Sequence, residues 1–203
     1  MTLSSSHMPF DPIPTNQFPR RAFLIMPFAF AGLAAFCYPR QRKLLDASQD
    51  GNGPEFQLAL FSKSGKCEAV RGIRSLIRAD ADWRRELTAE EYAITRRKAT
   101  EFAFANRYWN THEPGIYRCI CCGNALFRSQ DKFDSGTGWP SFSAPIARYN
   151  IYTQIDSSFS LNRVEVLCRK CDAHLGHVFE DGPPPSGLRY CLNSGALRFI
   201  KYV

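Results

Sequence analysis

The sequence predicts a mainly antiparallel β protein, with helices at the N-terminal side and a structural zinc site. Three observations carry this expectation. After Pro114 the chain breaks into short runs rich in aromatic and β-branched residues: GIYRCI, ALFRS, NIYTQI, RVEVLC, HVFE and ALRFIKY. Turn residues separate these runs at short intervals. Before Pro114, Asp80–Thr100 has helical texture, and Thr88 followed by Glu91 forms a capping box that starts a helix at Thr88. Two Cys-x-x-Cys pairs, far apart in sequence, supply the four thiolates of a closed metal site.

Residues 1–45 read as an export signal or membrane anchor. Asp11 is the single acid before position 44, and Arg20-Arg21 precede the uncharged stretch AFLIMPFAFAGLAAFC. That stretch is short for a membrane span of about 20 apolar residues, and its length suits a signal core. The paired arginines look like a bacterial twin-arginine signal, which implies a periplasmic or membrane-associated protein. An uncleaved anchor and an acid-poor mitochondrial presequence are the alternatives. DASQDGNGP, 46–54, reads as a polar linker. EFQLALF, with Phe56, Leu58 and Leu60 alternating, suits a half-buried strand. SKSGK can turn, and CEAVRGI can return as a second strand. Residues 46–79 are therefore a linker and N-terminal β-hairpin extension, and 80–203 the main domain. In the helical segment, Leu87, Tyr92 and Ile94 supply the buried side.

The net charge of +7 raises nucleic-acid binding, but the basic residues are interleaved with acids, as in DADWRRELTAEEYAITRRKATE, with no run of five like charges. A solvated surface is the expectation, with no nucleic-acid partner.

Eight cysteines are many for 203 residues. Cys119 and Cys122 in YRCICCGN pair with Cys168 and Cys171 in VLCRKCDA to form an S4 set. Gly123 lets the backbone turn tightly around the first pair. Disulfide or redox chemistry is the competing reading of the same spacing. A zinc ion there has no open position, so it holds the fold and performs no chemistry. Cys121 falls between two ligands. It could replace one of them, sit as a buried thiol, or exchange with another thiol.

Cys191 stands apart, without a Cys-x-x-Cys partner. A catalytic thiol needs a neighbouring cation or donor, because the thiolate is the reactive form. Arg189, Cys191 and Asn193 share one face if GLRYCLNS is extended. His177 titrates near neutral pH, and His174 lies three residues before it. A buried structural cysteine and satisfied core histidines are the plain alternatives.

From about Asp80 to Val203 the chain resembles the methionine sulfoxide reductase B family, which reduces the R epimer of methionine sulfoxide. The motifs TEFAF, YRCICCGNALF, KFDSGTGWPSF and VEVLCRKCDAHLGHVFEDGPPPSGLRYCLNSGALRF match in order. The resemblance implies two antiparallel sheets with N-terminal helices. It makes Cys191 the nucleophile and Cys119, Cys122, Cys168 and Cys171 the ligands of one structural zinc. It places His177, Asn193 and Trp139 around the sulfoxide, with His174, Arg189 and Phe142 nearby. It implies oxidised proteins or peptides as substrates, a Cys191 sulfenic acid, a thioredoxin-like reductant and a monomer. Many members carry a resolving cysteine in KFDSG-x-GWPSF, where this chain has Thr137. Cys67, Cys121 or an external thiol must then recycle Cys191. A zinc-stabilised binding module, an enzyme of the same fold with another sulfoxide or thiol substrate, and a disulfide-stapled secreted protein are the rival readings.

Overall fold

The computed structural model describes residues 51–157 and 163–203. The expected signal or anchor, residues 1–45, lies outside the described residues, as does the start of the linker.

Among the described residues all strand pairing is antiparallel and falls into three sheets. Strands β1 (Glu55–Phe61) and β2 (Cys67–Arg74) form a two-stranded hairpin. Helices α1 (Asp80–Glu86) and α2 (Ala89–Arg97) follow. Then come β3 (Gly115–Cys119), β4 (Ala125–Arg128), β5 (Lys132–Phe133), β6 (Ser141–Phe142), β7 (Ile151–Asp156), β8 (Arg163–Cys168), β9 (His174–Phe179), β10 (Arg189–Leu192) and β11 (Leu197–Lys201). A six-stranded sheet has the order β5-β6-β10-β9-β8-β7, and a three-stranded sheet the order β11-β3-β4. The main domain thus holds the two expected sheets, and the hairpin adds a third.

The alternation read in EFQLALF is only half of what β1 does. Leu58 and Leu60 pack with Ile73, while Ala59 and Phe61 pack on the other face against Ile116, Ala125 and Ile146. The strand ends buried on both faces, because its hairpin lies against the three-stranded sheet. Two polar ties fix it there. Asn150 exchanges hydrogen bonds with both backbone groups of Ala59, at 2.8 and 3.0 Å, and also donates to the Ala125 carbonyl. Arg118 donates to the carbonyls of Phe61 and Ser62.

The helical segment breaks in two at Leu87. The capping box forms as read: the Glu91 N–H donates to Thr88 Oγ1, and the Thr88 N–H to Glu91 Oε2. Trp83, Leu87, Tyr92 and Ile94 face inward. Arg96 lies over the Trp83 ring and donates twice to the Cys171 carbonyl, which docks α2 on the second Cys-x-x-Cys turn. The core joins the two large sheets through Tyr117, Leu126, Phe127, Phe142, Val166, Leu175, Leu192 and Leu197.

Candidate active site and metal centre

The two Cys-x-x-Cys turns have the same local geometry. In the first, the Gly123 N–H donates to the Cys119 carbonyl at 2.9 Å and the Cys119 N–H to the Asn124 carbonyl. In the second, the Asp172 N–H donates to the Cys168 carbonyl at 3.0 Å and the Cys168 N–H to the Ala173 carbonyl. Both turns need a left-handed residue after the second cysteine. Gly123 supplies it at φ 72° without strain and Asp172 at φ 54°. The four sulfurs are buried and all lie within 4.8 Å of one another. Cys119 and Cys171 are 3.7 Å apart, and Cys122 and Cys168 3.6 Å. A tetrahedron with metal–sulfur bonds near 2.3 Å has edges of about 3.8 Å, so the set fits one metal ion. All seven cysteines among the described residues are free, which removes the disulfide-stapled reading for them. Cys121 is buried beside Cys119 and Cys171, outside the four-sulfur set.

The second turn leads directly into β9, which carries His174 and His177. Cys191, on β10, is paired with His177 of β9 on one side and Ser141 of β6 on the other. Its thiol is half-buried. Burial pushes its pKa up. The Arg189 charge and hydrogen bonds with the side chains of Thr137, Arg189 and Ser141 pull it back. Arg189 is itself held by a two-point contact to Asp181, at 2.8 Å each. Thr137 and Ser141 both bond to Ser135 Oγ, at 2.8 and 2.7 Å, so a small hydroxyl cluster lies beside the sulfur.

His177 Nε2 is 2.9 Å from Asp156 Oδ2, at the end of β7. Burial lowers the histidine's pKa below its ordinary value and outweighs the Asp156 hydrogen bond, so the ring is neutral at pH 7. With the carboxylate accepting from Nε2–H, Nδ1 is the basic nitrogen. His174 packs edge-on to His177, with ring centres 5.4 Å apart. Its Nδ1 is 2.7 Å from Glu165 Oε1, and its Nε2 is buried without a hydrogen-bond partner among the described residues. Burial alone would push the Glu165 carboxyl up, but hydrogen bonds from His174, Lys98 and Gln154 hold it at about 2.

Asn193 is buried just past β10. Its Oδ1 accepts from the Glu101 N–H at 3.1 Å, and its Nδ2 donates to the Leu175 carbonyl, leaving one amide hydrogen. Trp139 Nε1 donates to the Glu101 carbonyl at 3.1 Å. The structure thus places Arg189, Cys191 and Asn193 along β10 and its end, His174 and His177 on the neighbouring β9, and Trp139 two residues before Ser141 of β6. Phe142 is elsewhere: it is fully buried against Tyr117 and Phe127 in the core, without a surface for a ligand. Cys67 is exposed opposite Phe61 on the hairpin, and no disulfide or hydrogen bond joins it to Cys191. Glu101, Asp156, Glu165, Ser135 and Ser141 were missed in the sequence. All but Asp156 stand inside quoted motifs, but nothing local marks the partners they reach.

A half-buried thiol beside a cation, a hydroxyl cluster and a histidine–carboxylate pair, on a β scaffold with a four-cysteine cluster, is a constellation suited to redox chemistry on sulfur. Residues 87–201, more than half of the chain, match the SelR domain family. Peptide methionine sulfoxide reductase MsrB of Herminiimonas arsenicoxydans is 56% identical over 124 residues, 61% of this chain and 90% of that protein. MsrB of Hahella chejuensis is 55% identical over 60% of this chain and 88% of that protein. The chloroplastic peptide methionine sulfoxide reductase B1 of Oryza sativa is 56% identical over 60% of this chain and 57% of its own length. The chain belongs to the methionine sulfoxide reductase B family, oxidoreductases that act on sulfur.

Proposed function

We propose that this protein reduces the R epimer of methionine sulfoxide in proteins and peptides, with Cys191 as the nucleophile. The observation that carries the reading is the placement of the Cys191 thiol, half-exposed between Ser141 and His177. Cys119, Cys121, Cys122, Cys168 and Cys171 are buried in and around the four-sulfur cluster. The thiol gives its proton to His177 Nδ1, and the thiolate attacks the sulfoxide sulfur. His177 returns the proton to the sulfoxide oxygen as charge develops there. Methionine leaves, the oxygen stays on Cys191 as a sulfenic acid, and the sulfur of Cys191 is oxidised by the two electrons that methionine gains. Trp139, fixed by its bond to Glu101, faces the methyl group and selects the epimer by shape. Asn193 keeps one amide hydrogen for the oxygen.

Thr137 cannot resolve the sulfenic acid, Cys121 is buried, and Cys67 sits on a separate hairpin. An external thiol, thioredoxin-like, therefore attacks Cys191 directly: water leaves, a mixed disulfide forms, and a second thiol releases Cys191. The four-cysteine cluster holds one zinc ion in a structural role. A periplasmic or membrane-associated monomer exported through residues 1–45 suits this reading.

The full chain, with excess dithiothreitol, is offered a peptide carrying either the R or the S sulfoxide, beside a Cys191→Ser control. Turnover of R alone, lost in the control, is expected. Turnover of S, or an active control, would overturn the mechanism. Intact mass after one turnover without reductant should show Cys191 with one added oxygen. A Cys67–Cys191 crosslink would reject the external thiol.

A further inference from the structure

Beside the site, residues 101–109 expose aromatic rings while anchoring themselves inward. Phe102 is 87% exposed, Phe104 56% and Trp109 36%. The segment is not a loose loop that happens to carry them. Glu101 is buried and makes five hydrogen bonds. Its N–H donates to Asn193, its carbonyl accepts from Trp139, and its carboxylate accepts from the N–H groups of Ser194 and Gly195 and from Asn106. Three residues later, the Phe104 N–H donates to the Gly138 carbonyl at 2.9 Å.

Phe104 also sits at φ 61°, a left-handed conformation that is a true outlier for a bulky residue. A Cβ on Gly138 would come within 2.7 Å of its ring, so the glycine is what allows the close approach. Gly138 lies between Thr137, which bonds to the Cys191 thiol, and Trp139. The Phe104 ring then meets Trp109 edge-on at 5.3 Å. Backbone strain and a glycine are both used to hold apolar rings out in water, one residue from the reacting sulfur's neighbours. An isolated exposed aromatic needs no explanation, but an anchored, strained group continuous with a site does.

We propose that Phe102, Phe104 and Trp109 form a docking surface for apolar side chains next to the oxidised methionine of a polypeptide substrate. The proposal rests on the reductase reading and names the substrate it favours: chain segments whose oxidised methionine has apolar neighbours, the kind exposed when a core loosens. The Phe104 N–H bond to the Gly138 carbonyl sets the ring-bearing segment one residue from both Thr137 and Trp139, and an extended chain advances about 3.3 Å per residue, so the residues flanking the sulfoxide are the ones that would meet it.

The test uses the full chain and three substrates: N-acetyl methionine-R-sulfoxide amide, and two pentapeptides with methionine-R-sulfoxide at the centre, flanked by leucines or by serines. The variant is Phe102→Ser with Phe104→Asn, since asparagine tolerates left-handed backbone. Wild type should favour the leucine peptide by about tenfold in kcat/KM. In the variant that ratio should fall to about one, with the small amide unchanged within about twofold. Equal rates on the two peptides in wild type, or an unchanged ratio in the variant, would overturn the proposal. So would a wild-type dimer by sedimentation that the variant dissolves while keeping the peptide ratio, since a second copy would then be the occupant. No turnover of any of the three substrates by wild type would instead defeat the reductase reading, and the docking surface with it.

Discussion

The Cys191 thiol is under opposed forces. Burial raises its pKa above the ordinary 9.0, while Arg189, Thr137 and Ser141 lower it. The raised value means that reactivity at neutral pH depends on each group that favours the thiolate, since the thiolate fraction falls about tenfold per unit below the pKa. Thr137→Val removes one hydrogen bond to the sulfur and keeps the shape. Site-resolved iodoacetamide labelling of Cys191 should then show its midpoint moving to higher pH and its rate at pH 7.5 falling about three- to tenfold. An unmoved midpoint would show that Thr137 does not support the thiolate. Cys191, Arg189 and His177 were legible in the sequence because a thiol, a cation and a histidine signal chemistry by type and spacing. Asp156 and Glu101 were not. They act on partners 21 and 92 residues away, and an isolated acid looks like any surface acid until the fold closes. Phe142 was misplaced for the opposite reason: it adjoins Ser141, which lines the site, but alternation along β6 turns its ring into the core.

Among the elements, the contact between β9 and β10 decides whether His177 and Cys191 meet. Gly176 pairs with Leu192, and a Cβ at Gly176 would lie 2.1 Å from the Cys191 carbonyl oxygen. Backbone cannot move aside as a side-chain tip can. Gly176→Ala must therefore push the two strands apart at Cys191. Activity on a peptide sulfoxide should fall more than about tenfold, and the thermal midpoint should drop, consistent with strain of a few kcal/mol. Full activity in the variant would mean that activity does not depend on the close pairing of Cys191 with His177. The strand runs around this pair were readable from β-branched and aromatic clusters. The need for glycine was not, because it comes from the approach of a strand 15 residues further along the chain. The capping box of α2 shows the reverse case. Both partners lie within one turn, so the sequence alone placed that helix start correctly.

Across the whole molecule, the four-cysteine cluster adds a second junction between the sheets that the core already joins. Cys119 ends β3 of the three-stranded sheet, and Cys168 ends β8 of the six-stranded one. The second turn also receives α2 through Arg96, and the segment after the hairpin through the Leu76 N–H bond to the Lys170 carbonyl. Four elements thus converge on one pair of turns, and β9, which carries His174 and His177, begins immediately after. Binding of a structural zinc contributes about 10–16 kcal/mol, while a domain of this size has a net stability of about 5–15 kcal/mol. The two ranges overlap, so removing the metal should unfold the domain instead of merely loosening it. A strong chelator with a thiol reductant, or the Cys122→Ser variant, should abolish the cooperative thermal transition, with metal content followed by elemental analysis. Cys191→Ser should keep one metal per chain and a midpoint within a few degrees of wild type. A metal-free sample that melts cooperatively at the wild-type temperature would show that the sheets hold each other without the cluster, and would reduce the four cysteines to a peripheral site. That second outcome is hard to reconcile with four buried thiols packed within 4.8 Å. Without a cation they would crowd sulfur against sulfur at the junction on which both sheets and α2 depend.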